Sequence, residues 1–290
     1  YAYFWRNQLR RTSQSSLNEF VLLIVISAVF VTLNMYQVIH ELLEPRAPIL
    51  GNDILDMITH ITGNIAQSMV IIYLLANKIV VSRKPQAGRI LAVGAHPDDI
   101  EIAAGASLAK MKDAGYQITG LVLTNGAKGG RADKRIGEAV NGARFLGLDQ
   151  VEVLDFTDTR LKDQTVELTG AIEERIRKVQ PDIIFTHSNH DLHQDHQAVH
   201  EATLRAARST QTTILCYESP SVTPDFIPSY YIEVQDYVDI KIEAIREHWD
   251  QREKIYMKPD LVRGKLAFRG GQAKVDYAEG FEIIRMLSSI

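Results

Sequence analysis

The sequence predicts an α/β domain over residues 89–290, a mostly parallel sheet with helices on both faces, preceded by two apolar helices. Three observations carry this reading. From Arg89 onward, short apolar runs alternate with segments of helical period, the rhythm of βαβ units. Two of those runs, Ile90-Leu91-Ala92-Val93 and Asp182-Ile183-Ile184-Phe185, end in bursts of ligand-type side chains. Upstream of Arg89 lie two long stretches that are apolar and poor in charge.

The elements follow in order. Ile90–Gly94 is strand-like, and Glu101–Ala114 is helix-like and closed by Gly115. Gln117–Thr124 is strand-like, and Lys134–Leu146 is a helix with Gly147 at its end, where glycine relieves the left-handed cap. Val151–Leu154 is a short strand, Val166–Val179 a helix, and Asp182–Thr186 a strand. Gln197–Ala207 is helical and Ile214–Tyr217 is a strand, with Cys216 as a small core residue. About 200 residues is an ordinary size for one such domain.

The N-terminal part reads differently. Residues 1–16 hold Arg6, Arg10 and Arg11 and no acidic residue. Phe20 to Ile39 contains no charged residue, and a helix needs about 20 mostly apolar residues to cross a bilayer. The run is long and is followed by no small-residue cleavage site, so it does not read as a signal peptide. Met57 to Val81 is a second apolar stretch, weakened by Asn64, Gln67, Ser68, Asn77 and Lys78. We read residues 17–81 as a membrane hairpin, with helices at about 17–40 and 57–81 and an acidic loop between them. Both outer flanks are basic, with Lys78, Arg83, Lys84 and Arg89 at the exit, which places both ends and the domain on the cytoplasmic side. The competing reading is a helical hairpin that packs on the domain or on a partner. Residues 82–88 form a linker, and the first residue is Tyr1 rather than Met, so further residues are expected upstream.

A formal charge of -4 gives no reason to expect a nucleic-acid partner. The single cysteine cannot form an intramolecular disulfide.

Chemistry is expected where the two ligand-rich strand ends meet, because open α/β sheets collect ligands outside the carboxyl ends of their strands. Five of the nine histidines lie between His187 and His200. His96 and Asp99 are three apart in a strand-to-helix turn, and so are His193 and His196 ahead of a helix. Two His and one Asp make a three-ligand set with open positions, which suits a catalytic zinc and also non-haem iron. Asp98, between the ligands, is a candidate base for a water acidified by the metal, and His193 a candidate stabiliser of an oxyanion. His187, His190, His200 and His248 read as structural, although His200, one helical turn after His196, could face the metal. The Gly126, Gly129 and Gly130 segment reads as a substrate loop, and Arg135 as a contact to a phosphate or sugar hydroxyl.

These residues resemble a family. Ala95-His96-Pro97-Asp98-Asp99 with Glu101 behind it, and His193-x-Asp195-His196-x-x-Val199-His200, look like the motifs of the LmbE-like (PIG-L) zinc-dependent N-deacetylases. The resemblance extends over most of residues 89–286. Its lesser matches are Thr124-Asn-Gly-Ala-Lys-Gly-Gly130, Arg135-x-x-Glu138, Leu154-Asp-Phe-x-Asp158 and Tyr277-Ala-Glu279-Gly-Phe281. It implies a Rossmann-like fold and removal of acetyl from N-acetylglucosamine units of glycolipids, thiol cofactor precursors or antibiotics. It implies one zinc per chain on His96, Asp99 and His196, with Asp98 as general base. His193 would be the electrostatic or acid group, held by Asp195, and Arg135, Asp158 and Asp191 would contact substrate. Two departures stand out. Asp191 occupies the position where some members have a Tyr, and Ile100 separates Asp99 from Glu101.

The function expected is thus a zinc-dependent hydrolase, anchored in the membrane, that acts on an N-acetylated amino sugar, with a lipid-linked form among the candidates; assembly as a homo-oligomer is compatible with this. The alternatives are a deacetylase of soluble sugar conjugates whose hairpin serves assembly, a nucleotide-binding or regulatory module, and a membrane scaffold with an inactive domain. A nucleotide module would need a glycine fingerprint after the first strand, and none is there.

Overall fold

The structure is a computed structural model that describes residues 62–63 and 87–287. The basic segment 1–16 and the hairpin expected at 17–81 lie outside the described residues, apart from Thr62 and Gly63. Among the described residues no helix is long and apolar enough to cross a membrane.

Among the described residues seven strands form one sheet: β1 (Gly88–Gly94), β2 (Tyr116–Thr124), β3 (Gln150–Phe156), β4 (Ile183–His187), β5 (Thr213–Tyr217), β6 (Tyr230–Glu233) and β7 (Ala278–Arg285). Their order is β3-β2-β1-β4-β5-β7-β6. The first five are parallel, and β7 and β6 close the edge in antiparallel sense. The chain leaves β1 towards β2 on one side and returns to β4 on the other. The crevice between β1 and β4 is therefore the topological switch point, where such sheets bind ligands.

Among the described residues six helices cover the faces: α1 (Asp99–Asp113), α2 (Ala132–Leu146), α3 (Thr165–Val179), α4 (Gln194–Ala206), α5 (Val238–Arg246) and α6 (Pro259–Ala273). Alternate residues of β1 serve opposite faces, as the strand period demands. Ile90 and Ala92 join the core under α1, α2, α5 and α6, while Leu91 and Val93 join the core under α3 and α4. Phe185 of β4 and Phe281 of β7 meet edge-on at 5.2 Å in the larger core. Burying each such side chain contributes about 1.5–3 kcal/mol.

All four expected helices start one to three residues earlier than their sequence patterns suggest, and the shifts of α1 and α4 bear on the site. α1 begins at Asp99, two residues before Glu101, because Asp98 adopts a left-handed conformation (φ 113°) that starts the helix without any side-chain cap. α4 begins at Gln194 rather than Gln197, because the ring nitrogen of His193 accepts the N–H of Asp195. Histidine in that role escapes a search for the usual Ser, Thr, Asp or Asn caps. The antiparallel β6 and β7 are the further addition, since neither shows an alternating apolar run of the usual kind.

Candidate active site

The turn after β1 and the loop from β4 into α4 close on one another above the switch point. His96 ends the first turn and Asp99 opens α1, with Asp99 Oδ2 accepting the main-chain N–H of His96 at 2.7 Å. His196 lies in the first turn of α4. One ligand atom each from His96, Asp99 and His196 come within 4.8 Å of one another. His96 Nδ1 is 3.5 Å from Asp99 Oδ2, and His196 Nε2 is 3.5 Å from Asp99 Oδ1.

The outward ring nitrogens are held by carboxylates. His196 Nδ1 is 2.8 Å from Asp191 Oδ2. His96 Nε2 lies 3.2 Å from Asp158 and 3.3 Å from Asp195. Carboxylates behind ligand histidines fix the rings and raise their basicity. The surroundings demand positive charge. Asp98, Asp99, Asp158, Asp191 and Asp195 are all buried here, and Arg135 is the buried arginine among them. Burial alone would hold His196 neutral, yet Asp99 and Asp191 push its pKa up to about 9. His96 is raised well above its ordinary value, as Asp158, Asp195 and Asp99 outweigh burial. Two imidazoles and a carboxylate converging among these buried acids form a donor set that fits a divalent cation.

Two other groupings of potential ligands occur here: His96 with His193 and Asp195, and His187 with Asp191 and His196. Neither has the same access. His96, Asp99 and His196 all line a pocket of about 370 Å³, together with Asp98, Arg135, Asp158 and His193. Asp195, Asp191 and His187 stay behind that wall, at 0–1 % exposure.

Asp98 faces the pocket from its left-handed backbone. Strained conformations of this sort cost about 1–3 kcal/mol and collect at functional sites. Burial and the charge of Asp99 raise the Asp98 carboxyl to about 6, against the pull of Arg135. A base poised near the working pH is what general-base catalysis requires. Arg135 donates to the carbonyls of Gly126 (2.8 Å) and Pro97 (2.7 Å), and its guanidinium lies 3.4 Å from Asp98. Gly126 (φ 67°) permits this approach, since a Cβ there would stand 2.2 Å from the guanidinium. The glycine segment therefore wraps Arg135, whose two terminal nitrogens serve the base and two carbonyls while its buried Nε has no partner.

Several expected contacts take a different form. The Asp195 carboxylate does not reach His193. It accepts the N–H groups of Thr159 (2.7 Å) and Leu161 (3.2 Å) and lies beside His96, and only its main-chain N–H meets His193. Asp191 is turned away from the pocket and accepts from His196, Ser219, Ser221 (2.6 Å) and the N–H of His193 (2.9 Å). Asp158 lines the pocket, with one oxygen on the N–H of Lys128 at 2.7 Å and the other towards His96. His200 faces the carbonyl of His187 at 2.9 Å instead of the metal set. His193 is half-buried over the pocket. Burial, His196 and His96 lower its pKa, and its Nδ1 accepts the Asp195 N–H, which leaves its proton on Nε2.

His187, read as structural, supports the ligand set directly, and Tyr256 was not foreseen. His187 accepts the Ala95 N–H at 3.1 Å, lies 3.2 Å from Asp99 Oδ2 and stacks on His196 at 3.9 Å. Burial and His196 lower its pKa to about 4, so it is neutral and orients the ligands. Tyr256, on the single turn Ile255–Met257, brings a phenol to the pocket wall. No motif marks it, because it comes from a loop far along the chain.

Comparison with known proteins agrees with this geometry. The family model for GlcNAc-PI de-N-acetylase (PIG-L) matches residues 91–207, which span both ligand-bearing turns. An uncharacterised deacetylase of Escherichia coli, YaiS, is 39% identical over 167 residues, covering 55% of this chain and 89% of that protein. Diacetylchitobiose deacetylase of Thermococcus kodakarensis is 26% identical over 222 residues, covering 68% and 83%. The solved structure of the conserved protein TT1542 from Thermus thermophilus superposes with a TM-score of 0.61 at 25% identity, over 69% of this chain and 96% of that one. With the sheet order, the two strand-end motifs and these relatives in agreement, the chain belongs to the GlcNAc-PI de-N-acetylase (PIG-L) family of deacetylases, hydrolases of N-acetyl amide bonds.

Proposed function

We propose that this chain is a metal-dependent N-deacetylase that removes acetyl from an N-acetylglucosamine-type substrate. The observation that supports it most is the buried Asp98, raised to about 6, beside three convergent ligand atoms at an open pocket. The relatives named for diacetylchitobiose and GlcNAc-PI point to the sugar.

His96, Asp99 and His196 would hold the ion. A two-histidine, one-carboxylate set suits zinc first and ferrous iron second. Bound there, the cation supplies Lewis acidity for water and for the acetyl carbonyl. Asp98 takes the proton of the attacking water, and Arg135 holds the base in place. The neutral His193, with its N–H on Nε2, donates to the carbonyl oxygen as negative charge develops there. Asp98 then returns its proton to the leaving amine, which closes the proton balance. The walls contributed by Lys128, Thr159 and Tyr256 receive the sugar.

Membrane anchoring by residues 17–81, with the domain on the cytoplasmic side, belongs to this reading and rests on the uncharged run Phe20–Ile39 and the basic flanks. An anchor is of most use for a lipid-linked substrate, because confinement raises effective concentration. The test is acetate release from lipid-linked and soluble N-acetylglucosamine conjugates, with and without chelator. Chelator-sensitive release is expected. A metal-replete chain that releases no acetate from any of them refutes the assignment, and activity confined to soluble conjugates refutes the lipid-linked substrate alone.

A further inference from the structure

A second cavity of about 250 Å³ lies beside the catalytic pocket, with Tyr256 in the wall of both. Ile102, Pro220 and Tyr256 form wall of both spaces. Ala103, Val222, Leu261, Val262 and Leu266 make the second cavity largely apolar. Its polar end comes from α6, α5, β7 and the segment after β5.

There the charges do not balance. Lys241 pairs with Glu279, whose carboxylate also accepts the N–H groups of Ala106 (3.2 Å) and Ser107 (2.7 Å). Arg269 pairs with Glu218 at 2.8 Å. Lys265 is the third cation. Its amine donates to the Glu218 carbonyl at 2.8 Å and approaches the Ser219 carbonyl at 3.5 Å, and it lies 3.8 Å from the Glu218 carboxylate that Arg269 already engages. Three cations thus face two carboxylates. Burial, with repulsion from Lys241 and Arg269, brings the Lys265 pKa down to about 8, so it remains mostly charged at neutral pH. About a third of its side chain is open. An ammonium has three donors and the carbonyls occupy two. Lys265 shares its nearest carboxylate with Arg269, so the end of this largely apolar cavity carries a net positive charge that favours an anionic guest.

We infer that this cavity is a second substrate subsite. It takes the group attached to the N-acetylated sugar, and that group has an apolar body ending in one anion, a carboxylate or phosphate, paired with Lys265. The placement rests on the deacetylase reading, since Tyr256 and Pro220 put the cavity directly beside the reacting pocket. A substrate with a neutral polar extension would leave Lys265 uncompensated.

The test uses zinc-loaded full chain and three N-acetylglucosaminides with aryl aglycones of matched shape: 4-carboxyphenyl, 4-carbamoylphenyl and phenyl phosphate. A charge-assisted hydrogen bond in a cavity favours the carboxylate over the carboxamide by roughly 10–100-fold in kcat/KM, mostly through KM. The phosphate compound shows which anion fits better. Lys265→Gln should bring the carboxylate-to-carboxamide ratio close to one, and Lys265→Arg should restore part of it. Leu261→Trp, at the exposed mouth of the cavity, should lower the ratio of aryl to methyl glycoside turnover, whatever Lys265→Gln does to folding. No carboxylate preference in the wild type, or an unchanged preference in Lys265→Gln, overturns the inference. Calorimetric binding separates this from failure of the deacetylase reading. If no glycoside is hydrolysed but the carboxylate binds tighter in a Lys265-dependent way, the subsite stands and the activity falls. Equal or absent binding of both removes the subsite.

Discussion

Replacing Asp98 by Asn should abolish most turnover and stabilise the metal-free protein. The two effects have one origin. Burial and the neighbouring Asp99 raise the Asp98 carboxyl from 3.8 to about 6, and that balance already contains the attraction of Arg135. A carboxyl with a raised folded pKa binds its proton more tightly in the native state. Stability is therefore lost as pH rises through the window from about 4 to 6, and the full penalty is present above it. Two pKa units correspond to about 3 kcal/mol. Asparagine keeps the shape and carries no charge, so the variant escapes this penalty at pH 7.5. At pH 4 the wild-type carboxyl is itself protonated in the native state, and the advantage shrinks below about 1 kcal/mol.

The assay is thermal unfolding of chelator-treated wild type and Asp98→Asn across pH 4 to 8. For a domain of this size, about 3 kcal/mol shifts the midpoint by roughly 6–12 °C. The gap between variant and wild type should widen with pH and level off above about 7. Titrating groups remote from Asp98 are common to both proteins and cancel in the difference, whereas Asp99, His96 and His248 feel its charge and contribute to the measured gap. In zinc-loaded protein the same substitution should lower kcat by about 10²–10⁴-fold, as expected for loss of a placed base. A constant or shrinking stability gap between pH 4 and 7 refutes the claim that Asp98 is held against its charge, and near-wild-type turnover refutes its role as base.

Other consequences follow from the same geometry. Asp191→Asn weakens the carboxylate behind His196 Nδ1 and should reduce zinc affinity by about 10–100-fold in a competition titration with a chromophoric chelator; an affinity within twofold of wild type would detach Asp191 from the metal. His193→Ala should lower kcat by about 10²–10³-fold with little change in KM, whereas a raised KM at constant kcat would make His193 a binding residue. Gly126→Ala forces a side chain into a left-handed position 2.2 Å from Arg135, so both kcat/KM and the melting temperature should fall; wild-type values for both would show that Arg135 does not hold the base.

Much of the fold is legible in the sequence because the parallel strands are buried on both faces and read as continuous apolar runs. Ile90-Leu91-Ala92-Val93 and Ile183-Ile184-Phe185 are examples. The antiparallel edge is not legible in that way. Tyr230–Glu233 is short, and Ala278–Arg285 mixes a buried half with an exposed one. Helix starts are missed where the signal is unusual: a left-handed Asp98 and a histidine cap at His193.

The site divides on the same line. Residues that face the pocket sit three apart in local turns, so His96 with Asp99 and His193 with His196 can be paired from spacing alone. What stands behind them depends on which strand ends become neighbours. Asp195 lies next to His196 in sequence but touches His96, 99 positions away. Asp191 is five residues before His196, and only the helix start at Gln194 folds its carboxylate back onto that ring. His187, which reads as a strand-end residue, becomes a support for Asp99 because β4 lies against β1. In each case a carboxylate or neutral imidazole takes up one side of a ligand and leaves the other towards the pocket. Against Asp99, Asp158 and Asp191, whose carboxyls are lowered, Asp98 has its carboxyl raised while facing the open space, and its strained backbone sets it apart from the carboxylates that serve the histidines. That separation, between acids lowered by histidines and one acid raised by burial, is the physical basis for assigning proton transfer to Asp98.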